Sequence, residues 1–189
     1  MMTQAEISIA NHYLHVVTER FVELKKMAER TFEQLNENEW NWSYNEESNS
    51  IAVIVQHMSG NMISRWTDFL TTDGEKQNRD RDGEFEGSMR SRESLLDVWN
   101  QGWRVFLDTL HSLTADDLTK TITIRQQPHT VIEAIERQMS HYAYHVGQIV
   151  YTAKQLKSEE WSTLSIPRKN NDTYRLTSIK TKAPLTLIL

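Results

Sequence analysis

Cysteine is absent from the 189 residues, which excludes a disulfide framework, a thiolate zinc site, an iron–sulfur cluster and a cysteine nucleophile. Nothing in such a composition asks for an oxidising compartment, and a cytoplasmic location is expected. Glycine and proline are scarce, at six and three, whereas Leu, Glu, Gln, Lys, Arg and Met are plentiful, a balance that favours long helices over strands. No run approaches the roughly 18 apolar residues of a membrane span, and the opening segment MMTQAEISIANHYLHVV lacks a basic start followed by an apolar stretch. A soluble, unprocessed chain with no membrane partner is expected. Basic residues are in deficit, 21 against 26 acidic, and the formal net charge of −5 is spread along the chain, leaving no footprint for a nucleic-acid backbone. No G-x-S-x-G elbow, P-loop or G-x-G-x-x-G occurs, which removes the usual signals for hydrolase triads, nucleotides and dinucleotides.

What is present is helical periodicity. Residues 3–36 place Ile7, Ala10, Leu14, Val17, Phe21, Leu24, Ala28 and Leu35 at alternating three-four spacing, with Thr31 in the one polar slot, and Thr3 with Glu6 forms a capping box. The Asn-rich stretch 36–49 reads as loop. A second helix is predicted from about Ser50 to Leu70, its stripe made of Ile51, Ile54, Val55, Met58, Met62, Trp66 and Phe69. The polar, aperiodic stretch 71–89 reads as a long connection of the kind that is often functional. A third helix follows at about Ser91 to Leu110, carrying Leu95, Trp99, Trp103, Phe106 and Leu110. The segment TKTITIRQQPHT, with Pro128, is a crossover containing at most a short extended piece. Thr130 and Glu133 cap a fourth helix ending near Lys157, with Val131, Ile135, Met139, Tyr142, Val146 and Ile149 inward. The reading is all-α, a four-helix bundle with long connections over residues 1–166, followed by an unassigned tail at 167–189.

The strongest local signal for chemistry is His141 and His145, because residues four apart on a helix stand one turn above each other and can reach one metal ion. They share a polar ridge with Gln138 and Gln148, so the fourth helix has a wet flank. The second helix has a comparable ridge of His57, Asn61, Ser64 and Asp68. If the two ridges face one cleft, His57 completes a three-nitrogen site with open positions, the arrangement of a catalytic metal. The spacing also arises by chance, and His57 judged alone reads as a solvated surface histidine. His12, His15, His111 and His129 read as ordinary surface or loop histidines. Tyr142 stands where H-E-x-x-H metalloproteases need Glu, and the Glu-x-x-His of di-iron bundles is absent, so neither class is tenable.

Two segments carry a resemblance: NSIAVIVQHMSGNMISRWTDFLTTDGEK at 49–76 and RQMSHYAYHVGQIV at 137–150 resemble the DinB/YfiT-like superfamily, over roughly residues 5–166. The closer likeness is to an uncharacterised bacillus-type branch of it. The resemblance implies a bundle with one crossover, frequently a homodimer, that holds one divalent ion, nickel or zinc, through residues matching His57, His141 and His145. It also implies enzymes acting on small-molecule substrates with low-molecular-weight thiols, among them bacillithiol-type S-transfer and thiol-dependent isomerisation. On that reading Asn61, Arg65 and Gln148 line the pocket, and Arg65, Arg79 and Arg81 are candidates for a thiol cofactor's carboxylates, with Asp73 and Glu75 as solvated charges or their ion-pair partners. Two alternatives stay open. One is metal-dependent hydrolysis, with Asp68 or Glu75 as proton acceptor; the other is a non-catalytic, stress-related dimeric bundle braced by the metal. The tail after Pro167 does not match the basic ending associated with that branch.

Overall fold

A computed structural model describes residues 3–86 and 89–166; the tail at 167–189 lies outside the described residues. The chain is mostly helical, with a small two-stranded sheet. Helix α1 spans Gln4–Phe32, and its capping box forms as predicted: the Thr3 hydroxyl accepts from the Glu6 N–H at 3.3 Å and the Glu6 carboxylate accepts from the Thr3 N–H at 2.7 Å. Buried Thr31 fits its core slot because its hydroxyl donates to the Met27 carbonyl at 2.9 Å. A short 3-10 turn at Glu37–Asn41 then buries Trp40.

Helix α2, Ile51–Trp66, begins at Ser50, whose hydroxyl accepts from the Val53 N–H at 3.2 Å. It stops four residues short of the expected Leu70: Thr67 is already extended at ψ 128°, and Asp68 then takes φ 48°, outside the right-handed helical region. Phe69 still reaches the core, stacked on Trp66 with ring centroids 4.3 Å apart. Helix α3, Arg92–Ser112, starts from the Ser91 cap. The crossover is a hairpin, β1 Thr121–Ile124 and β2 Gln127–Thr130, paired antiparallel from Thr121↔Thr130 to Ile124↔Gln127. Its two turn residues, Arg125 and Gln126, have φ of 54° and 63° without being glycine. The Asp73 carboxylate holds that turn, accepting from both amides at 2.9 and 2.7 Å. Thr130 then caps helix α4, Val131–Lys157.

Among the helices α2 lies chiefly on α3 and α1 on α4, with smaller contacts between α2 and α4 and between α1 and α3. Gly102 permits the α2–α3 approach, since a Cβ there would stand 2.9 Å from Ser59 Cα. At the centre, the ring of Phe106 on α3 meets Phe21 of α1 at 4.5 Å, Trp66 of α2 at 4.7 Å and Tyr142 of α4 at 5.3 Å.

One expectation is corrected. The α2 ridge is not a wet flank: His57, Asn61 and Ser64 are only 7, 4 and 4 % exposed. The segment after α2 folds back over it. Ser64 donates to the Gly74 carbonyl at 3.3 Å and accepts from the Lys76 N–H at 3.0 Å, so the connection's backbone satisfies polar groups that periodicity alone assigned to water.

Because Phe106 touches rings from all the other helices, Phe106→Ala is expected to lower unfolding free energy by about 3–5 kcal/mol in urea titration. Trp42→Phe, at a position 38 % exposed, should stay within about 0.5 kcal/mol of the parent.

Candidate metal centre

Packing of α2 on α4 brings His57, His141 and His145 together, with one ligand atom from each lying within 4.8 Å of the others. The atoms that converge are the Nε2 nitrogens: His141 Nε2 is 3.3 Å from His57 Nε2 and 3.0 Å from His145 Nε2. Among the described residues no carboxylate joins this group, so the protein offers three imidazole nitrogens.

Each imidazole is tethered through its other nitrogen. His57 Nδ1 donates to Glu84 Oε2 at 3.0 Å, and His145 Nδ1 donates to Gln148 Oε1 at 2.8 Å, which leaves both Nε2 lone pairs directed at the common centre. His141 Nδ1 lies 3.0 Å from Gln138 Nε2, while Gln138 Oε1 faces Arg65 Nη1 at 3.4 Å. With the amide in that orientation, His141 carries its proton on Nε2 and donates to a neighbouring imidazole. Turning the amide over would let Oε1 accept from the Nδ1–H and free the third Nε2 as a ligand, at the cost of the Arg65 bond, since Gln138 Nε2 would then face the guanidinium. A set of three imidazoles, each with a second partner, fits a divalent transition metal ion.

The connection after α2 closes the outside of the site. Glu84 is gripped by Arg79, whose Nε and Nη2 donate to the two carboxylate oxygens at 2.7 and 2.8 Å. Burial pushes the Glu84 carboxyl up, but the hydrogen bonds from His57 and Arg79 and the guanidinium charge more than offset that and hold it below the usual carboxylate range. The carboxylate fits against α2 only because residue 60 is glycine: a Cβ at Gly60 would collide with the Glu84 carboxylate. The Phe85 ring lies on His57, centroids 4.8 Å apart, and the Arg81 guanidinium sits 5.5 Å above Phe85. Arg79 is also 3.5 Å from Glu75, which Arg125 of the hairpin turn contacts at 3.1 Å, so a chain of paired charges runs from the histidines to the hairpin.

The remaining expected pocket residues fall into two groups. Gln148 contacts His145, and Arg81 stands above the Phe85 ring, which itself packs on His57. Asn61, Arg65 and Arg79 are turned inward. Asn61 Oδ1 accepts from the Tyr142 hydroxyl at 3.4 Å, and Arg65 is 5 % exposed with its Nε unpaired. Burial lowers the Arg65 guanidinium, there being no carboxylate hydrogen-bonded to it among the described residues. Of the histidines read as ordinary, His15 pairs on the surface with Glu19 at 3.6 Å, apart from the group. Sequence reasoning did not single out Glu84, Phe85 or Gly60. The first two stand in a segment with no period, and the only signal was the length of that connection; the role of Gly60 depends on an approach that spacing along α2 does not encode.

A family model described as a protein of unknown function (DUF1572) matches residues 8–170. No curated protein matches the chain.

Burial holds the His141 imidazole down at about 3, with His145, His57, Arg65 and Arg79 adding to the effect, and burial lowers His145 as well. Both rings are therefore neutral in the folded chain where the unfolded chain takes up protons, near a reference value of about 6.5. Their contribution to stability is complete above that value and is lost as pH falls from it towards about 3. Metal-free protein is expected to have a lower urea midpoint at about pH 5.5 than at about pH 7.5, and His141→Asn should shrink that difference. A midpoint that rises on acidification would contradict the assignment of buried neutral imidazoles.

Proposed function

This chain belongs to that family of unknown function, and we propose that it is a metal-dependent enzyme of DinB/YfiT-like type. In this reading it is a four-helix bundle that holds one divalent ion, nickel or zinc, on His57, His141 and His145 and transfers low-molecular-weight thiols of the bacillithiol type to an electrophile. The observation that carries the reading is the convergence of three Nε2 atoms whose partner nitrogens are each tied to a fixed group. A structural site would close the coordination with a fourth side chain, and no other His, Cys, Asp or Glu among the described residues joins the group.

A divalent ion bound there supplies a Lewis acid that favours the ionised form of a thiol or water held against it. The chain's own residues do the rest. Glu84, Gln138 and Gln148 fix the imidazole orientations, and Phe85 keeps water from His57 on the side of the connection. Arg81, above Phe85, is placed to pair with a carboxylate of a thiol cofactor. Thiol transfer is preferred over hydrolysis because the acids nearest the site are occupied: Glu84 by His57 and Arg79, Glu75 by Arg79 and Arg125. A thiol, with a free pKa of roughly 8.5 against roughly 15.7 for water, would release its proton to solvent on meeting the ion more readily than water does, and so depends less on a dedicated acceptor in the site.

The purified protein is expected to contain about one divalent ion per chain, measured by elemental analysis, and full metal content in the triple His57→Ala, His141→Ala, His145→Ala variant would sink the assignment. Glu84→Gln should keep the fold but weaken metal affinity roughly 10–100-fold in competition with a chelator dye, since it removes the charged tether on His57. With a small thiol and an electrophile, the loaded protein should accelerate conjugation, and its advantage should be greatest below the free thiol's pKa of roughly 8.5, where solution thiolate is scarce. A cobalt-loaded sample whose spectrum ignores added thiol would rule out the transferase reading. The proposal also includes a two-fold homodimer in the cytoplasm, supported by exposed Ile9 and Met27 on α1 and by the apolar groove that Leu24, Met27 and Met139 line between α1 and α4. Light scattering showing only monomer at micromolar concentration would contradict the dimer.

A further inference from the structure

Beside His145 lies a depression of about 790 Å³, within the size range of small-molecule sites, walled by the 42–49 loop, the start of α2 and the outer face of α4. Its lining includes Trp42, Tyr44, Tyr144 and Tyr151, which are 38, 80, 62 and 66 % exposed. Aromatic rings left this open around one concavity are unusual, because burying them elsewhere would stabilise the fold. Among the described residues the only charged side chain of the lining is Glu47; no lysine or arginine contributes. The start of α2 does not turn the site towards anions, since the Ser50 hydroxyl already accepts from the Val53 N–H at 3.2 Å. Rings that present a negative face, together with one carboxylate, attract an organic cation and repel a carboxylate.

The depression also communicates with the metal centre. The Tyr144 ring stands 5.0 Å from the His145 ring, and Gln148 lines the wall while its Oε1 accepts from His145 Nδ1 at 2.8 Å and its Nε2 donates to the Tyr144 hydroxyl at 3.0 Å. A ligand that touches Tyr144 therefore touches the tether of a metal ligand. Resting on the metal-enzyme reading above, we propose that this depression is the subsite for the second substrate, and that it selects small molecules with a cationic, ammonium-type group on an apolar or aromatic body. The two substrates are then sorted by charge, with Arg81 for the anionic thiol cofactor and Glu47 with the four rings for the cationic partner.

The test uses three probes that share one ring and differ in charge: benzyltrimethylammonium, benzyl alcohol and benzoate. Each is titrated into the full chain while tryptophan emission is followed, with Trp42→Phe identifying the reporting residue. The expected result is saturable binding of the ammonium probe, at least about fivefold tighter than benzoate. Glu47→Gln should reduce that preference, and Tyr144→Ala or Tyr151→Ala should weaken the ammonium probe alone; these side chains are exposed, and circular dichroism checks that the variants remain folded. In cobalt-loaded protein the ammonium probe should shift the visible spectrum through Gln148, whereas Gln148→Ala should bind the probe with a smaller shift. Absence of saturable binding, equal affinity for benzoate, or a preference untouched by Glu47→Gln would overturn the ligand class. Binding without any spectral shift would overturn the link to the metal. The triple histidine-to-alanine variant separates this proposal from the metal assignment: it should lose metal yet still bind the ammonium probe, and a wild-type protein without metal would sink the enzyme reading while leaving the emission titration to decide the subsite.

Discussion

Tyr142 is fully buried among rings from other helices, with Phe106 at 5.3 Å, Trp103 at 5.6 Å and Phe21 at 6.0 Å, and this packing gives α4 a single rotation about its axis. The histidines depend on that rotation. His141 precedes Tyr142 and His145 follows it by one turn's worth of residues, so seating the tyrosine in the core swings both imidazoles to the edge that faces α2. The Tyr142 hydroxyl then meets Asn61 Oδ1 at 3.4 Å, one turn along α2 from His57, which sets the two helices in register at the site. A rotation of α4 by one residue would remove the tyrosine from its neighbours and the histidines from each other at once. Fold and site therefore share one constraint.

The connection after α2 supplies what the helices lack. Desolvation, with the neighbouring imidazoles adding to it, keeps His141 and His145 neutral, the form that binds a metal ion. Glu84 brings a charge to His57 without leaving it unbalanced, because Arg79 takes up both carboxylate oxygens. Hydrogen bonds from Ser64 and Asp73 pin the same segment to α2 and to the hairpin, so its position over the histidines follows from many small satisfactions of polar groups. The centre is thus closed on the Phe85 side and bordered by an open aromatic depression on the Tyr144 side. Such asymmetry is what two different substrates would need.

Legibility in the sequence followed periodicity. The capping boxes at Thr3 and Thr130 and the inward stripes of the helices were readable, because each depends on residues within two turns of one another. His141 and His145 were readable for the same reason, and His57 could be joined to them once two polar ridges were supposed to face each other. The burial of those ridges was not readable: Ser64 and Asn61 look solvent-directed on a helical wheel until a loop folds over them. Glu84 lies 27 residues from its partner His57 in a segment without period, and no local rule predicts that pairing. The early end of α2 was missed for a related cause, since the left-handed conformation of Asp68 serves the path of the connection more than any preference of the residues around it.

The central claim is that three imidazoles bind one ion through Nε2 while their Nδ1 atoms stay protonated on fixed partners. Long-range proton–nitrogen correlation NMR of zinc-loaded protein with ¹⁵N-labelled histidine reads both halves of it. The account predicts that three histidines, assigned to 57, 141 and 145 by single substitutions, show Nδ1–H tautomers with metal-shifted Nε2 resonances that disappear when zinc is removed. Zinc bound through Nδ1, or spectra in which these histidines are the same with and without zinc, would contradict it.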